Sequence, residues 1–217
     1  MRKLLIVAIT LALSGPLWAE TASSTLDLVA LGTYTFPKND DVYDHAAGAE
    51  VQARFWLTDV VGLALAGGWS RWDVNDQNAV VGDGKILTAS DISGDIDTVP
   101  VGASVLLRVM DTERLTLVLE GGARYVFTDD SGSDVRIIVT EPGRPTATST
   151  HRLKIDDGVV AVAAAQLELK LTPNVFLLAG GGYQWDLDKG DVKFLDEKVS
   201  NNKFESALVQ AGLGVSF

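Results

Sequence analysis

Residues 115–127 read LTLVLEGGARYVF, and the odd positions of that stretch decide the fold. Leu117, Leu119, Gly121, Ala123, Tyr125 and Phe127 fall on one side of an extended chain, because successive side chains of a strand point to opposite faces. That side runs from aliphatic through glycine to aromatic. The same order recurs at every second residue in Leu28, Ala30, Gly32, Tyr34 and Phe36; in Leu63, Leu65, Gly67 and Trp69; and in Leu177, Ala179, Gly181, Tyr183 and Trp185. An aliphatic band that ends in rings describes a strand facing lipid, with its aromatic residues parked at one membrane boundary.

Following the same period along the chain gives eight spans: 26–36, 47–57, 62–73, 98–109, 115–127, 159–171, 175–187 and 206–217. A tilted strand needs roughly 9–11 residues to cross a bilayer, so each span is long enough. In the last, Ala207, Val209, Ala211, Leu213, Val215 and Phe217 face one way, while Ser206, Gln210, Gly212, Gly214 and Ser216 face the other. An even count lets the sheet close without an edge, which lipid would not tolerate. A membrane helix needs roughly 18 apolar residues in a row, and no segment after the N-terminus has them.

The connections are of two kinds. Thr58 to Val61, Met110 to Arg114 and Thr172 to Asn174 are tight turns, whereas residues 37–46, 74–97, 128–158 and 188–205 are long, polar and rich in Asp, Asn, Gly and Ser. Short and long alternate strictly. The expected fold is therefore all-β: an eight-stranded antiparallel up-and-down transmembrane β-barrel with short periplasmic turns and long extracellular loops. In the longest loop Val135 to Glu141 and Thr146 to Ile155 flank Pro142 and Gly143 like a hairpin. They are read as standing above the membrane, because Thr148, Thr150, Arg152 and Lys154 beside Ser149 and His151 leave no continuous lipid face. Ten crossing strands is the alternative.

The N-terminus is organised differently. Arg2 and Lys3 precede an apolar run from Leu4 to Leu13, then Ser14, Gly15 and Pro16, with Ala19 as a small residue for cleavage. This pattern predicts a secretory signal peptide over residues 1–19, a short segment over 20–25 and one barrel domain over 26–217. Loss of Arg2 and Lys3 takes Lys+Arg from 18 to 16 against 29 Asp+Glu, a net charge of −13. Such a surface argues against nucleic acid, which is bound by clustered Lys and Arg. The chain has no cysteine, which excludes a thiol-linked lipid and any disulfide.

With these spans and the terminal Phe217, residues 26–217 resemble the small eight-stranded outer-membrane barrels typified by the OmpA membrane domain, OmpX and the neisserial opacity proteins. The resemblance implies an outer-membrane location in a Gram-negative-type bacterium, both termini in the periplasm, and an aromatic end that the outer-membrane assembly machinery reads. It extends to architecture and not to a particular member. No sequence follows the barrel, so the peptidoglycan-gripping domain of OmpA forms no part of the expectation.

The face opposite to lipid carries Asp27, Glu50, Arg54, Arg108, Glu120, Arg124, Glu168 and Lys170. Buried charges persist when they are paired and hydrogen-bonded, and an eight-stranded barrel is only wide enough for its own side chains. A cross-linked polar plug in the lumen is the expectation, with a narrow water or ion path as the alternative. Glu120 and Arg124 stand about 13 Å apart along their strand, so partners are expected from other strands. Inward glycines at 48, 68, 102, 122, 182, 212 and 214 either relieve crowding or leave cavities.

Other candidates are weaker. His45 and His151, both in expected loops, could serve a lipid A modifying enzyme if Asp44 and Ser90 or Ser93 joined His45, but no spacing fixes such a triad. Asp40, Asp41 and Asp44, or Asp91, Asp95 and Asp97, offer oxygen ligands for Ca²⁺ without a full loop signature. Arg136, Arg144, Arg152 and Lys154 could touch lipopolysaccharide phosphates. Tyr34, Phe36, Trp69, Tyr125, Phe127, Tyr183 and Trp185 read as an interfacial girdle, with Phe55 and Phe217 at the inner rim. The resulting expectation is a monomeric, non-enzymatic protein with no cofactor and no resident metal. Its partners are outer-membrane lipid, lipopolysaccharide and an extracellular ligand of unknown kind, and its role is envelope integrity, adhesion or surface contact.

Overall fold

The computed structural model describes residues 25–38, 43–76, 92–129, 134–139, 147–188, 192–194, 197–200 and 204–217; the signal-peptide reading over 1–19 lies outside them. Eight strands form a closed antiparallel barrel. They are β1 (Leu26–Pro37), β2 (Tyr43–Trp56), β3 (Val61–Asp76), β4 (Ile92–Asp111), β5 (Leu115–Asp129), β8 (Gly158–Lys170), β9 (Val175–Asp186) and β12 (Ser206–Ser216). Each pairs with the next of this set, and β12 pairs back onto β1 from Asp27↔Ser216 to Pro37↔Ser206. No barrel strand keeps an open edge.

Parity of side chains sets inside from outside. Odd positions such as Leu65, Val105, Leu119 and Leu213 are exposed on the outer wall, whereas Arg54, Gln52, Leu106 and Gln166 on the opposite parity are wholly buried. A continuous exposed apolar wall is stable only against another apolar phase, and lipid is that phase. No helix among the described residues is long and apolar enough to cross a membrane. The crossing is made by strands.

The three short connections share a device. Thr58, Thr112 and Thr172 each accept with the side-chain oxygen from a backbone N–H three residues on, those of Val61 at 2.9 Å, Leu115 at 2.9 Å and Val175 at 3.0 Å. The backbone N–H of each Thr closes the same turn onto the carbonyl of that residue, at 3.1, 2.8 and 3.1 Å. A hydroxyl that bonds its own turn competes with extended pairing and stops the strand there.

On the other side of the barrel the strands run further than the lipid pattern indicated. β4 has 20 residues where 98–109 was expected, and β3 continues to Asp76. Above the bilayer, backbone pairing needs no apolar face, so periodicity fades before the ladder does. The third long connection holds the hairpin of β6 (Asp134–Val139) and β7 (Ala147–Ile155), which meets the barrel wall through Ser93↔Arg136 of β4 and β6. β5 pairs directly with β8, so the hairpin is not inserted into the wall, and eight strands cross rather than ten. A second small hairpin, β10 (Val192–Phe194) and β11 (Glu197–Ser200), pairs with β7 and had no signal in the sequence pattern.

Inward and outward glycines differ sharply. A Cβ on Gly68 would lie 2.6 Å from the Ala49 carbonyl oxygen, and one on Gly182 would lie 2.5 Å from that of Ala163, whereas Gly67 and Gly121 on the outer face have nothing within 4 Å. The inward positions are glycine because the coiled wall brings neighbouring backbone against them. Relief of crowding, not open space, is their role.

Candidate functional site

The lumen is filled by apolar and charged side chains that interleave across the strands. At the inner end Trp56 points inward and donates its indole N–H to Asp27 at 2.6 Å. The Arg108 guanidinium lies over that indole at 3.8 Å and donates to the Asp59 carbonyl at 3.1 Å. Two apolar clusters share the lumen with it: Trp56 itself with Ala64, Leu106 and Val118, and separately Val29, Leu31, Phe176 and Leu178. The lower lumen is packed like the core of a soluble protein.

Level with these clusters, on facing positions of neighbouring strands, is a network of charges and amides: Arg54 stands opposite Ala64, Glu120 opposite Leu106 and Glu50 opposite Leu31. Arg54 donates to Glu168 at 2.6 Å, to Gln166 at 2.5 Å and to Gln52 at 2.9 Å. Gln166 donates in turn to Glu120 at 2.7 Å, and Gln52 donates to Glu50 at 2.7 Å. Arg124 clamps Glu50 with both terminal nitrogens, at 2.6 and 3.0 Å, and reaches Glu120 at 3.3 Å. Ser104 donates to the same Glu120 oxygen at 2.8 Å. Bidentate guanidinium pairing is the geometry in which a buried carboxylate recovers most of its lost hydration.

Of the eight charges expected to face inward, Asp27, Glu50, Arg54, Glu120, Arg124 and Glu168 are buried. The other two sit at the inner rim: Arg108 against Trp56, and Lys170 on Asp111 at 2.7 Å with 36 % of its side chain exposed. The expectation that Glu120 and Arg124 are too far apart to meet is corrected. Backbone separation is not side-chain separation, and the long Arg124 side chain folds back along its own strand to Glu120. Gln52, Gln166 and Ser104 join the network without having been singled out, although their parity already pointed them inward.

On the outer wall the rings gather near the ends of the strands that carry the long connections. Tyr34 packs on Phe36 at 5.0 Å, Tyr125 on Phe127 at 4.6 Å and Tyr183 on Trp185 at 5.0 Å. Trp69 faces outward beneath Arg71, whose guanidinium stands 5.5 Å from it. Phe55 and Phe217 are exposed at the opposite end. Arg71 also pairs with Asp97 at 2.9 Å and approaches Asp95 at 3.9 Å, which gives these two candidate Ca²⁺ ligands a cation already. His45 bonds Asp73 at 2.9 Å and stacks on Tyr34, a pairing that spacing did not reveal. The side chains of Asp40, Asp41, Asp44, Ser90, Asp91, Ser93, Arg136, Arg144, His151, Arg152 and Lys154 lie outside the described residues.

The mouth of the lumen is closed by Phe204, which is buried and packs on inward-facing Trp72 at 6.0 Å. Its backbone is tied at both ends: the N–H donates to Asp186 at 3.1 Å, and the carbonyl accepts from Gln184 at 2.6 Å and Ser206 at 2.9 Å. The adjacent Glu205 takes a bond from Lys38 at 2.9 Å and from the Tyr183 hydroxyl at 3.0 Å. Its hydrogen bond from the Lys38 ammonium holds the Glu205 carboxyl below the ordinary glutamate value, and the same bond raises Lys38.

No protein-family model and no curated protein sequence matches the chain. Solved structures do. The outer membrane protein OprG from Pseudomonas aeruginosa matches with a TM-score of 0.62 at 11 % identity, over 90 % of this chain and 97 % of its own. A major outer membrane protein from Thermus thermophilus matches with a TM-score of 0.59 at 13 % identity, over 90 % of this chain and 100 % of its own. At such identities the likeness concerns the fold. The fold of this chain is that of the small eight-stranded outer-membrane β-barrels.

Proposed function

We propose that the protein is a monomeric, non-enzymatic barrel of the outer membrane, with both termini in the periplasm and its long loops outside, serving envelope integrity, adhesion or another surface contact. The observation that carries this reading is the filled lumen. Interleaved apolar clusters and paired charges occupy the lumen, which supports a barrel that acts as a stiff post and not as a conduit. The paired rings at the extracellular ends hold the post at a fixed height in lipid, and Phe217 serves the assembly machinery. Loop Arg and Lys side chains meet lipopolysaccharide phosphates.

Single-channel recording in planar bilayers is the first test. The wild-type protein should give no discrete conductance above background, and steady unitary steps would favour the narrow-pore reading instead. Cells expressing a variant without residues 77–91 should keep the folded barrel and lose the surface phenotype, read by adhesion and envelope-stress assays.

The second reading, a lipid A modifying enzyme, draws on one observation, the His45–Asp73 pair at the outer wall beside Tyr34. Mass spectrometry of lipid A from cells with and without the protein decides between them. An unchanged acyl pattern is expected.

A further inference from the structure

Backbone register gathers cations on one face of the small sheet that continues the barrel wall past β4. Lys154 of β7 stands opposite Lys193 of β10, and Lys193 in turn stands opposite Lys198 of β11, so these strands carry a row of lysines at one level. Residues directly opposite each other, and residues two apart on one strand, share a face. Arg152 and Thr150 therefore join Lys154, and the pairs Asp134↔Arg152 and Arg136↔Thr150 bring Asp134 and Arg136 to the same side. Like charges directly opposite one another destabilise a sheet, and Asp134 is the one acid among these paired positions. Such a concentration of cations stands out in a chain of formal net charge −11. The other face of the same strands carries Val135, Ile137, Val139, Leu153 and Phe194.

The pair Ser93↔Arg136 fixes which way the cationic face is turned. On β4, Ser93 has the parity of Asp95, Val101, Val105 and Leu107, which are exposed on the outer wall. Arg136 and the lysine row thus continue the side of the wall that meets lipid, while the apolar face continues the lumen side with buried Ile96. Between Val99, which stands level with Phe127 of the ring girdle, and Ser93 the tilted strand rises about 20 Å, at roughly 3.3 Å per residue. That is beyond the apolar band, among the phosphate-bearing sugars of a lipopolysaccharide leaflet. We propose that Lys154, Lys193 and Lys198, with Arg136 and Arg152, form a docking face for the phosphate groups of lipopolysaccharide packed around the barrel. Charge complementarity and continuity with the lipid-facing wall both favour that occupant over a soluble polyanion. The inference rests on the outer-membrane placement proposed above, and deepens it by adding Lys193 and Lys198 and by giving the contact a direction.

Binding of fluorescently labelled lipopolysaccharide to protein refolded into detergent micelles, read by polarisation, tests it. Wild-type protein should bind the phosphorylated form and lose about tenfold or more in affinity when hydrofluoric acid has removed the phosphates. Lys154→Gln, Lys193→Gln and Lys198→Gln combined should lose as much. Lys85→Gln, Arg144→Gln and Lys203→Gln combined remove the same charge elsewhere in the long connections, and should change affinity by less than about twofold. Wild-type affinity in the first variant, equal loss in the second, or no preference of wild-type protein for the phosphorylated form would each overturn the proposal. Heat-modifiable electrophoretic mobility reports barrel folding. Where the first variant fails to fold, Lys198→Gln alone carries the comparison, with about a fivefold loss expected. Because the chain has no cysteine, Gly143→Cys can be labelled in intact cells with an impermeant maleimide. A labelled hairpin with unchanged affinity in the first variant sinks this inference alone; an unlabelled one sinks the placement beneath it and the inference with it.

Discussion

Truncation of Arg124 to alanine would leave Glu50 and Glu120 buried beside each other without their guanidinium, and breaking a buried pair from one side costs about 3–5 kcal/mol. Urea unfolding from micelles should show that loss, and removing Glu50 as well as Arg124 should restore part of it. The glycines give a finer contrast. Gly182→Ala forces a methyl group against the Ala163 carbonyl and should cost about 1–3 kcal/mol, the usual range for overpacking. Gly121→Ala points into open space at the wall and should shift stability by no more than about 0.5 kcal/mol, as surface changes do. Alternation told which residues point inward, and so six of the buried charges were legible. It does not set how far a side chain reaches, and the Glu120–Arg124 contact and the bridging amides of Gln52 and Gln166 depend on that reach.

Strand ends and loop closures obey their own chemistry. Thr172→Ala removes a hydroxyl that accepts the Val175 N–H and should cost about 1 kcal/mol, the net worth of one such bond, readable in the same unfolding series. The shared Thr-x-x-Val/Leu spacing at 58, 112 and 172 stands in the sequence, but threonine is as common inside strands as at their ends, so the spacing alone does not mark a turn. The mouth latch between Lys38 and Glu205 predicts a pH window. Glu205 is held below its ordinary 4.5, so its contribution is complete above that value and fades as acid approaches the lowered one. Lys38 is raised above 10.5, so its contribution is complete below that value and fades as base passes the raised one. The Phe204 amide resonance should therefore stay constant between these limits and move outside them. The four lipid-facing ring clusters made the crossing strands plain. The long-loop half of β4 carries no such stripe, because Asp95 and Asp97 hold the outward positions there; the β10–β11 hairpin, with strands of three and four residues, is too short to show one.

At the scale of the whole barrel, closure is what the sequence expressed best: eight stripes, strict alternation of short and long connections, and a final strand that zips onto the first from Asp27↔Ser216 onward. Phe217 adds one backbone bond to Leu26 and leaves its ring exposed at 68 %. Removal of this residue should change the urea midpoint of refolded protein little, yet sharply lower the amount inserted in cells, measured by surface proteolysis; equal loss in both would give Phe217 a packing role alone. The packed lower lumen of Trp56, Leu106, Val118 and Phe176 has a physiological corollary. On the proposed reading of a sealed barrel, an envelope densely populated with this molecule would gain surface loops without gaining leaks, and its abundance would be free to rise without compromising the barrier against detergents and antibiotics.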